Sequence, residues 1–400
     1  MSSLSRKTVA WAAGAALAVG GGTAGIVIAT QGGGGQPATG GTAVARAAAA
    51  RPAPLDLVSV SPVSLSNTAG TQAVDGAGTI VVTYNQPIPA TAPLPTLSPA
   101  TAGTWQRSGD VAIFTPTNGY AAGTRVTVTV TGLGNSRDGS ESSSFKTAPY
   151  STLRLQEILA QLGYLPLTWT PATGATVPGA SATAQLSAAY TPPAGTFQWE
   201  QGYPAQLRSF WSQGEANTLD RGAIYGFEAD HALPIDGVAG TAVWRDLLTA
   251  AAKDQRNTHG YSYAIASKGS PETLTIWHDG KRVFSSLANT GIGVAPTVDG
   301  TFPVYEKLPF QIMSGTNPDG SHYADPVEWV SYFNGGDAVH YFDRGSYGWP
   351  QSLGCVELPY SAAKQAYPYL PYGTLVTVEL STVTAQRRAL GPLWVPNARR

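Results

Sequence analysis

The hydrophobic spacing of this 400-residue chain changes period twice, and that change limits what the chain can fold into. Over residues 57–147 apolar side chains recur at every second position: Ile80, Val82 and Tyr84, then Val111 and Ile113, then Val126, Val128 and Val130 with threonines between. Period two gives each strand one buried face, and the Gly, Pro, Asn and Asp residues between runs supply turns. Over residues 151–248 the spacing becomes helical. Leu155, Ile158, Leu159 and Leu162 form a first stripe, Ile224 and Phe227 a second, and Trp244, Leu247, Leu248 and Ala251 a third. Ser151 or Thr152 can cap the first helix and Gly163 can end it. Strands return over residues 261–380: SYAIASKG, then ETLTIWH and KRVFSSLAN joined by Asp279-Gly280, a two-residue hairpin signal, and GTLVTVEL from Gly373 as a closing strand. One domain does not serve both periods. The expectation is a multidomain, mainly β protein with a small α-helical module in its middle, in keeping with domains of ~100 to 200 residues.

Composition supports short strands and frequent turns. Gly (46) and Pro (30) make up about a fifth of the chain, and charged residues only 12%, about half the usual ~25% share. The net charge is −1 with no basic tract, which argues against nucleic acid or an anionic membrane surface as the main partner. A single cysteine excludes an intramolecular disulfide, a four-cysteine zinc site and an iron–sulfur cluster. No metal and no cofactor is expected.

Residues 1–30 read as a signal peptide or membrane anchor. Arg6 and Lys7 precede 23 uncharged residues, Thr8 to Thr30, and a bilayer needs ~20. Ala43-Val44-Ala45 has the small-residue form of a cleavage site but lies 13 residues past the apolar run, which favours an anchor. Charge ahead of the span keeps the amino end inside, so the rest of the chain is expected to work outside the cytoplasm. Residues 31–54, rich in Gly, Ala, Thr and Pro, read as a linker reaching ~80 Å when stretched. Residues 381–400 read as a tail carrying Arg387, Arg388, Arg399 and Arg400.

Cys355 is the only sulfur nucleophile in a chain read as exported. His340 lies 15 residues upstream, after the run GGDAVH, with the loop YFDRGSYGWPQSLG between them. Two strand ends joined by such a loop can bring imidazole and thiol within hydrogen-bond reach, which would hold a thiolate near neutral pH. The other histidines, His231, His259, His278 and His322, lack this placement. His231 has no second ligand nearby and reads as a structural residue.

Three resemblances rest on these strings. Residues 55–147 resemble a bacterial immunoglobulin-like β-sandwich, which implies a spacer. Residues 150–250 resemble the peptidoglycan-binding helical domain through LRLQEILAQLGYLP, RGAIYGFEADHALPIDGVAG and TAVWRDLL. Asp236-Gly237 and Gly240 fit its turn, Glu228 stands where glutamine is common, and residues 166–221 are an insertion without counterpart. Residues 258–380 resemble the mostly-β L,D-transpeptidase catalytic domain, the YkuD fold. The resemblance rests on His340, Ser352-Leu353-Gly354-Cys355-Val356-Glu357, and TGIGVAPTVDGTFPVY with Thr297, Gly300 and Phe302. Leu353 departs from the family's second histidine and Glu357 from its Arg or Asn. Only 11 residues separate His340 from Ser352, which predicts a narrower mouth.

That resemblance implies a cell-wall enzyme. Cys355 attacks the carbonyl between the L-centre of diaminopimelate and the terminal D-Ala of a donor stem, and His340 acts as base and then acid, oriented by the Tyr341 carbonyl. Backbone N–H groups of Leu353, Gly354 and Cys355 form the oxyanion hole, and Tyr323, Met313 and Ser352 face the substrate. D-Ala leaves, a thioester forms, and an acceptor-stem amine completes a 3→3 cross-link. The partners implied are peptidoglycan and, through residues 1–30, the membrane, with action at the extracytoplasmic face or in the wall. An L,D-carboxypeptidase and a non-catalytic wall-binding scaffold remain alternatives. The portion from Tyr261 onward is expected to keep its thiol chemistry without the helical segment.

Overall fold

The computed structural model of the chain describes residues 54–61, 74, 76–134 and 136–380. The signal peptide or anchor, the linker up to residue 53 and the tail from 381 lie outside the described residues. The chain divides into two units, Met1–Pro52 and Ala53–Arg400, and the described residues all belong to the second. Among them no helix is long and apolar enough to cross a membrane.

The first β region packs two sheets face to face. One has the order β1 (Leu57–Ser61), β2 (Ile80–Tyr84), β5 (Val111–Pro116), β4 (Gly103–Ser108); the other has the order β3 (Thr96–Ser98), β6 (Arg125–Thr131), β7 (Ser140–Lys146). Ile80, Val82 and Tyr84 meet Val126, Val128, Val130 and Phe145 in a common core. Val111 and Ile113 do not join them. In the antiparallel β2–β5 ladder Ile80 lies opposite Phe114 and Val82 opposite Ala112, and residues directly opposite one another share a face. Ala112 and Phe114 therefore enter the core, while the two β-branched residues Val111 and Ile113 point outward and are half-buried.

The helical region begins with α1 (Thr152–Gln161), capped by Ser151, whose hydroxyl accepts the Arg154 N–H at 3.4 Å. Gly163 ends it at φ +79°, a left-handed conformation that glycine adopts without steric cost. The insertion is folded. Strands β8 (Leu167–Pro171) and β9 (Gly195–Trp199) form a hairpin around α2 (Ala182–Tyr190). Arg154, 1% exposed, joins α1 to α2 by donating to Glu157 at 2.8 Å and to Gln185 at 2.9 Å. From α2, the Tyr190 hydroxyl reaches the Tyr120 carbonyl at 3.4 Å, so the insertion touches the sandwich. Helices α3 (Thr218–Asp230) and α4 (Thr241–Lys253) complete the region. Both amides of the Asp236-Gly237 turn donate to Glu228 Oε2, at 3.0 and 2.9 Å. His231 stacks on Phe227 with ring centroids 4.0 Å apart.

The second β region holds two sheets. In the first, β10 (Ser262–Ser267), β11 (Thr273–His278) and β12 (Lys281–Leu287) run antiparallel, with Asp279 and Gly280 at φ +46° and +72° in the hairpin turn. The sheet order is completed by β13 (Gly300–Pro303) and the closing strand β18 (Leu375–Glu379), which lies parallel to β10 and antiparallel to β13. The second sheet has the order β14 (Glu306–Thr316), β15 (His322–Asn334), β16 (Asp337–Tyr341), β17 (Val356–Leu358). A short helix α5 (Tyr360–Ala366) packs beside it.

The helical region shares one core with the first of these sheets, while the two sheets enclose a second core of their own around Ile276, Phe333, Val339 and Val376. Tyr261, Tyr263 and Leu375 are buried in the same cluster as Leu155, Leu159, Phe227 and Leu247. Gly222 of α3 lies so close to Gly373, which leads into β18, that a Cβ on either would run into the other's carbonyl. Helix and strand thus meet backbone to backbone.

Candidate active site

Strands β16 and β17 are parallel neighbours, with Val339 opposite Val356 and His340 opposite Glu357. Parallel strands need a crossover connection, and residues 342–355 supply it. His340 lies near the end of β16, and Cys355 immediately precedes β17. Both line one cleft of about 720 Å³ together with Met313, Tyr323 and Leu353. That volume lies within the ~300 to 1,000 Å³ of ligand sites.

The histidine is buried, 2% exposed, and its Nδ1 lies 2.8 Å from the Tyr341 carbonyl oxygen. A carbonyl only accepts, so Nδ1 carries the proton and Nε2 is left as a bare acceptor. Burial pulls the imidazole below its ordinary range, against the opposite pull of the Tyr341 carbonyl and Glu357. Burial also pushes the Cys355 thiol up to about 12, with Asp337 and Glu357 adding to the shift. The thiol lies 3.7 Å from the Gly336 carbonyl, to which it donates. Among the described residues no hydrogen bond joins His340 to Cys355. Burial thus disfavours the charged form of both groups, which works against the preformed thiolate the spacing predicts.

This sets a pH dependence. Below its pKa a thiol's thiolate fraction rises tenfold per pH unit. Alkylation of Cys355 by iodoacetamide is expected to climb at about that slope from pH 7 to 10 without levelling. A plateau with a midpoint below pH 8 would show a thiolate–imidazolium pair in the free protein instead.

Two hydroxyls hold the cysteine from behind. Ser352 Oγ donates to the Cys355 carbonyl at 2.6 Å, and Thr297 Oγ1 donates to it at 3.5 Å while accepting the Gly291 N–H at 2.8 Å. Ser352 is 1% exposed and absent from the cleft wall, so its expected place facing the substrate is corrected to that of a buried positioning residue. The Gly354 N–H points to Ser352 Oγ at 3.3 Å. Of the amides expected to form an oxyanion hole, that one is already engaged. Gly354 has φ +121°, and a Cβ there would collide with Asp337 Oδ1, which explains glycine before the thiol.

Glu357, an acceptor at a position where Arg or Asn is expected, is met by a donor from the crossover. Arg344 donates Nε and Nη2 to the two Glu357 oxygens, each at 2.8 Å, and Nη2 also to the Gln351 carbonyl at 3.2 Å. Its guanidinium lies 4.6 Å from the centre of the Phe342 ring. Sequence reasoning misses Arg344. The available signal is a lone arginine in the crossover facing an acid two residues after the cysteine. Among the described residues no group of three or more His, Cys, Asp or Glu side chains is placed to hold a metal ion.

Residues 261–378 match the family model of the L,D-transpeptidase catalytic domain, YkuD. The match covers both strands of the candidate site and the crossover between them. Solved L,D-transpeptidases are also similar, two from mycobacteria across longer stretches. One from Mycobacterium smegmatis is 15% identical, covering 82% of this chain and 99% of its own, with a TM-score of 0.27. L,D-transpeptidase 3 from Mycobacterium tuberculosis, in complex with a faropenem-derived adduct, is 18% identical over 81% of this chain and 98% of its own, TM-score 0.28. The catalytic domain of the E. faecium L,D-transpeptidase is 27% identical over 29% of this chain and 95% of its own, TM-score 0.27. At such TM-scores these structures carry no argument, and the family likeness rests on residues 261–378. Among curated proteins none matches the chain.

Proposed function

We propose that the chain is an acyltransferase of the bacterial cell wall, forming 3→3 links between peptidoglycan stems through a thioester on Cys355. The observation that carries this reading is the His340 imidazole, which donates Nδ1–H to the Tyr341 carbonyl and keeps Nε2 bare in the cleft that also holds the thiol. As the thiol attacks the amide carbonyl before the terminal D-Ala, its proton passes to Nε2. The oxyanion forms against backbone N–H groups, of which those of Leu353 and Cys355 are the candidates, and one such donor is worth ~3 kcal/mol. The C–N bond then breaks, the imidazolium proton goes to the departing amine, and the acyl group stays on sulfur. An acceptor amine attacks the thioester, His340 takes its proton, and the thiol is regenerated. The energy of the old amide is retained in the thioester, so no nucleotide is consumed.

Met313 and Tyr323, on opposite strands of the β14–β15 hairpin, cover the substrate in this scheme. Residues 1–30 anchor the chain and residues 31–54 tether it, with the sandwich as an immunoglobulin-like spacer. The place of action is then the extracytoplasmic face of the membrane or the wall. The core shared between the helices and the first of the two sheets supports a bracing role for the peptidoglycan-binding-like region.

The test is mass spectrometry of purified stem tetrapeptides incubated with the full chain. Loss of D-Ala with formation of a joined dimer is expected. Loss of D-Ala with tripeptide alone would make the chain a carboxypeptidase, and intact tetrapeptide would overturn the reading.

A further inference from the structure

Arg344 is the only Lys or Arg among the described residues lining the cleft, where Asp319, Asp325 and Asp337 also stand. Its guanidinium is braced on three sides. Glu357 holds Nε and Nη2 in a two-pronged pair, Gln351 accepts from Nη2, and Phe342 covers one face. Nη1 makes no hydrogen bond among the described residues. The Arg344 side chain is 29% exposed, whereas its Glu357 partner is 5% exposed. The acid is thus spent on holding the arginine, and the arginine keeps one edge for solvent or a ligand. Glu357 lies opposite His340 in the ladder and two residues after Cys355, so this edge stands beside the reacting groups.

Such an edge suits one chemistry. A guanidinium already fixed in place gives its remaining N–H groups to a carboxylate with little further loss of side-chain freedom. The three aspartates repel a carboxylate from the rest of the cleft, which narrows where it can sit. We propose that Arg344, braced by Glu357, anchors a free carboxylate of the donor peptide and thereby selects and orients it. This rests on the acyl-transfer reading above. The donor stem offers two sources, the terminal carboxylate of the leaving D-Ala and the carboxylate at the far centre of diaminopimelate.

The experiment measures binding without reaction. The full chain carrying Cys355→Ala is titrated with three synthetic stem tetrapeptides: the free acid, the terminal amide, and the peptide amidated at the far diaminopimelate centre. The same titrations use the chain that also carries Arg344→Gln and Glu357→Gln. Replacing both removes the two charges together, so no unpaired acid is left buried, and thermal melting checks the fold. One amide is expected to bind about 10- to 100-fold more weakly than the free acid when Arg344 is present. That amide names the carboxylate. The doubly substituted pair site is expected to bind all three peptides alike. Equal affinities in the presence of Arg344, discrimination that survives the double replacement, or no binding of the free acid would each overturn the inference. Release of D-Ala by the chain with Cys355 intact is scored separately. Binding that depends on Arg344 without any D-Ala release sinks the transpeptidase reading and leaves the anchor standing.

Discussion

Replacing Cys355 by alanine is expected to end acyl transfer while the protein stays folded. In the proposed scheme the sulfur carries the acyl chain, and losing a nucleophile of this kind costs about 10⁴-fold or more in turnover. The structural cost is small. Cys355 is only partly buried, beside Val327, Val330, Tyr332 and Ala338, and one lost sulfur contact falls within the ~1 kcal/mol typical of single substitutions. His340→Gln separates the base from the scaffold. A glutamine amide can still donate to the Tyr341 carbonyl but has no basic nitrogen to receive the thiol proton, and a positioned base contributes about 10²- to 10⁴-fold. D-Ala release and intact-mass detection of the thioester check both variants. Release at the unmodified rate by Cys355→Ala would remove the nucleophile from the scheme, and an unchanged rate in His340→Gln would remove the base.

Excising residues 151–250 is expected to unfold the sheet pair that begins at β10. Tyr261, Tyr263 and Leu375 pack into the helical core, and each loses burial worth ~1.5 to 3 kcal/mol when the helices go. Three such losses take a large share of the ~5 to 15 kcal/mol that holds a domain together. The close approach of Gly222 to Gly373 also leaves a bare backbone groove without its partner. The expectation that the portion from Tyr261 keeps its chemistry alone is therefore reversed. Circular dichroism and melting of the truncated protein decide: a cooperative transition near that of the full chain would show that the two regions fold independently.

The sequence disclosed whatever depended on local pattern. Strands with alternating valines, the Ser151 cap and the Asp279-Gly280 turn could all be read because each is written in neighbouring residues, and the two strand ends carrying His340 and Cys355 do line one cleft. Other features were hidden by effects that act across the fold. Val111 and Ile113 look like core residues, but the register with β2 turns Ala112 and Phe114 inward instead. The helix α2, ATAQLSAAY, carries no strong stripe, and it is held by Gln185 and Tyr190 making contacts far along the chain. The state of the thiol depends on burial, which spacing does not reveal. Arg344 gained its meaning only when the crossover brought it back onto Glu357.

The parallel pairing of β16 and β17 bears on how such a protein can diversify. In the proposed scheme nucleophile and base are registered against each other by a backbone ladder, with His340 opposite Glu357 and Ser352 and Thr297 holding the cysteine's carbonyl. The stretch from 342 to 351 merely bridges them, yet it carries Arg344. Like an exchangeable cartridge, that bridge can be lengthened, shortened or rewritten to change what is recognised while the reacting atoms keep their places.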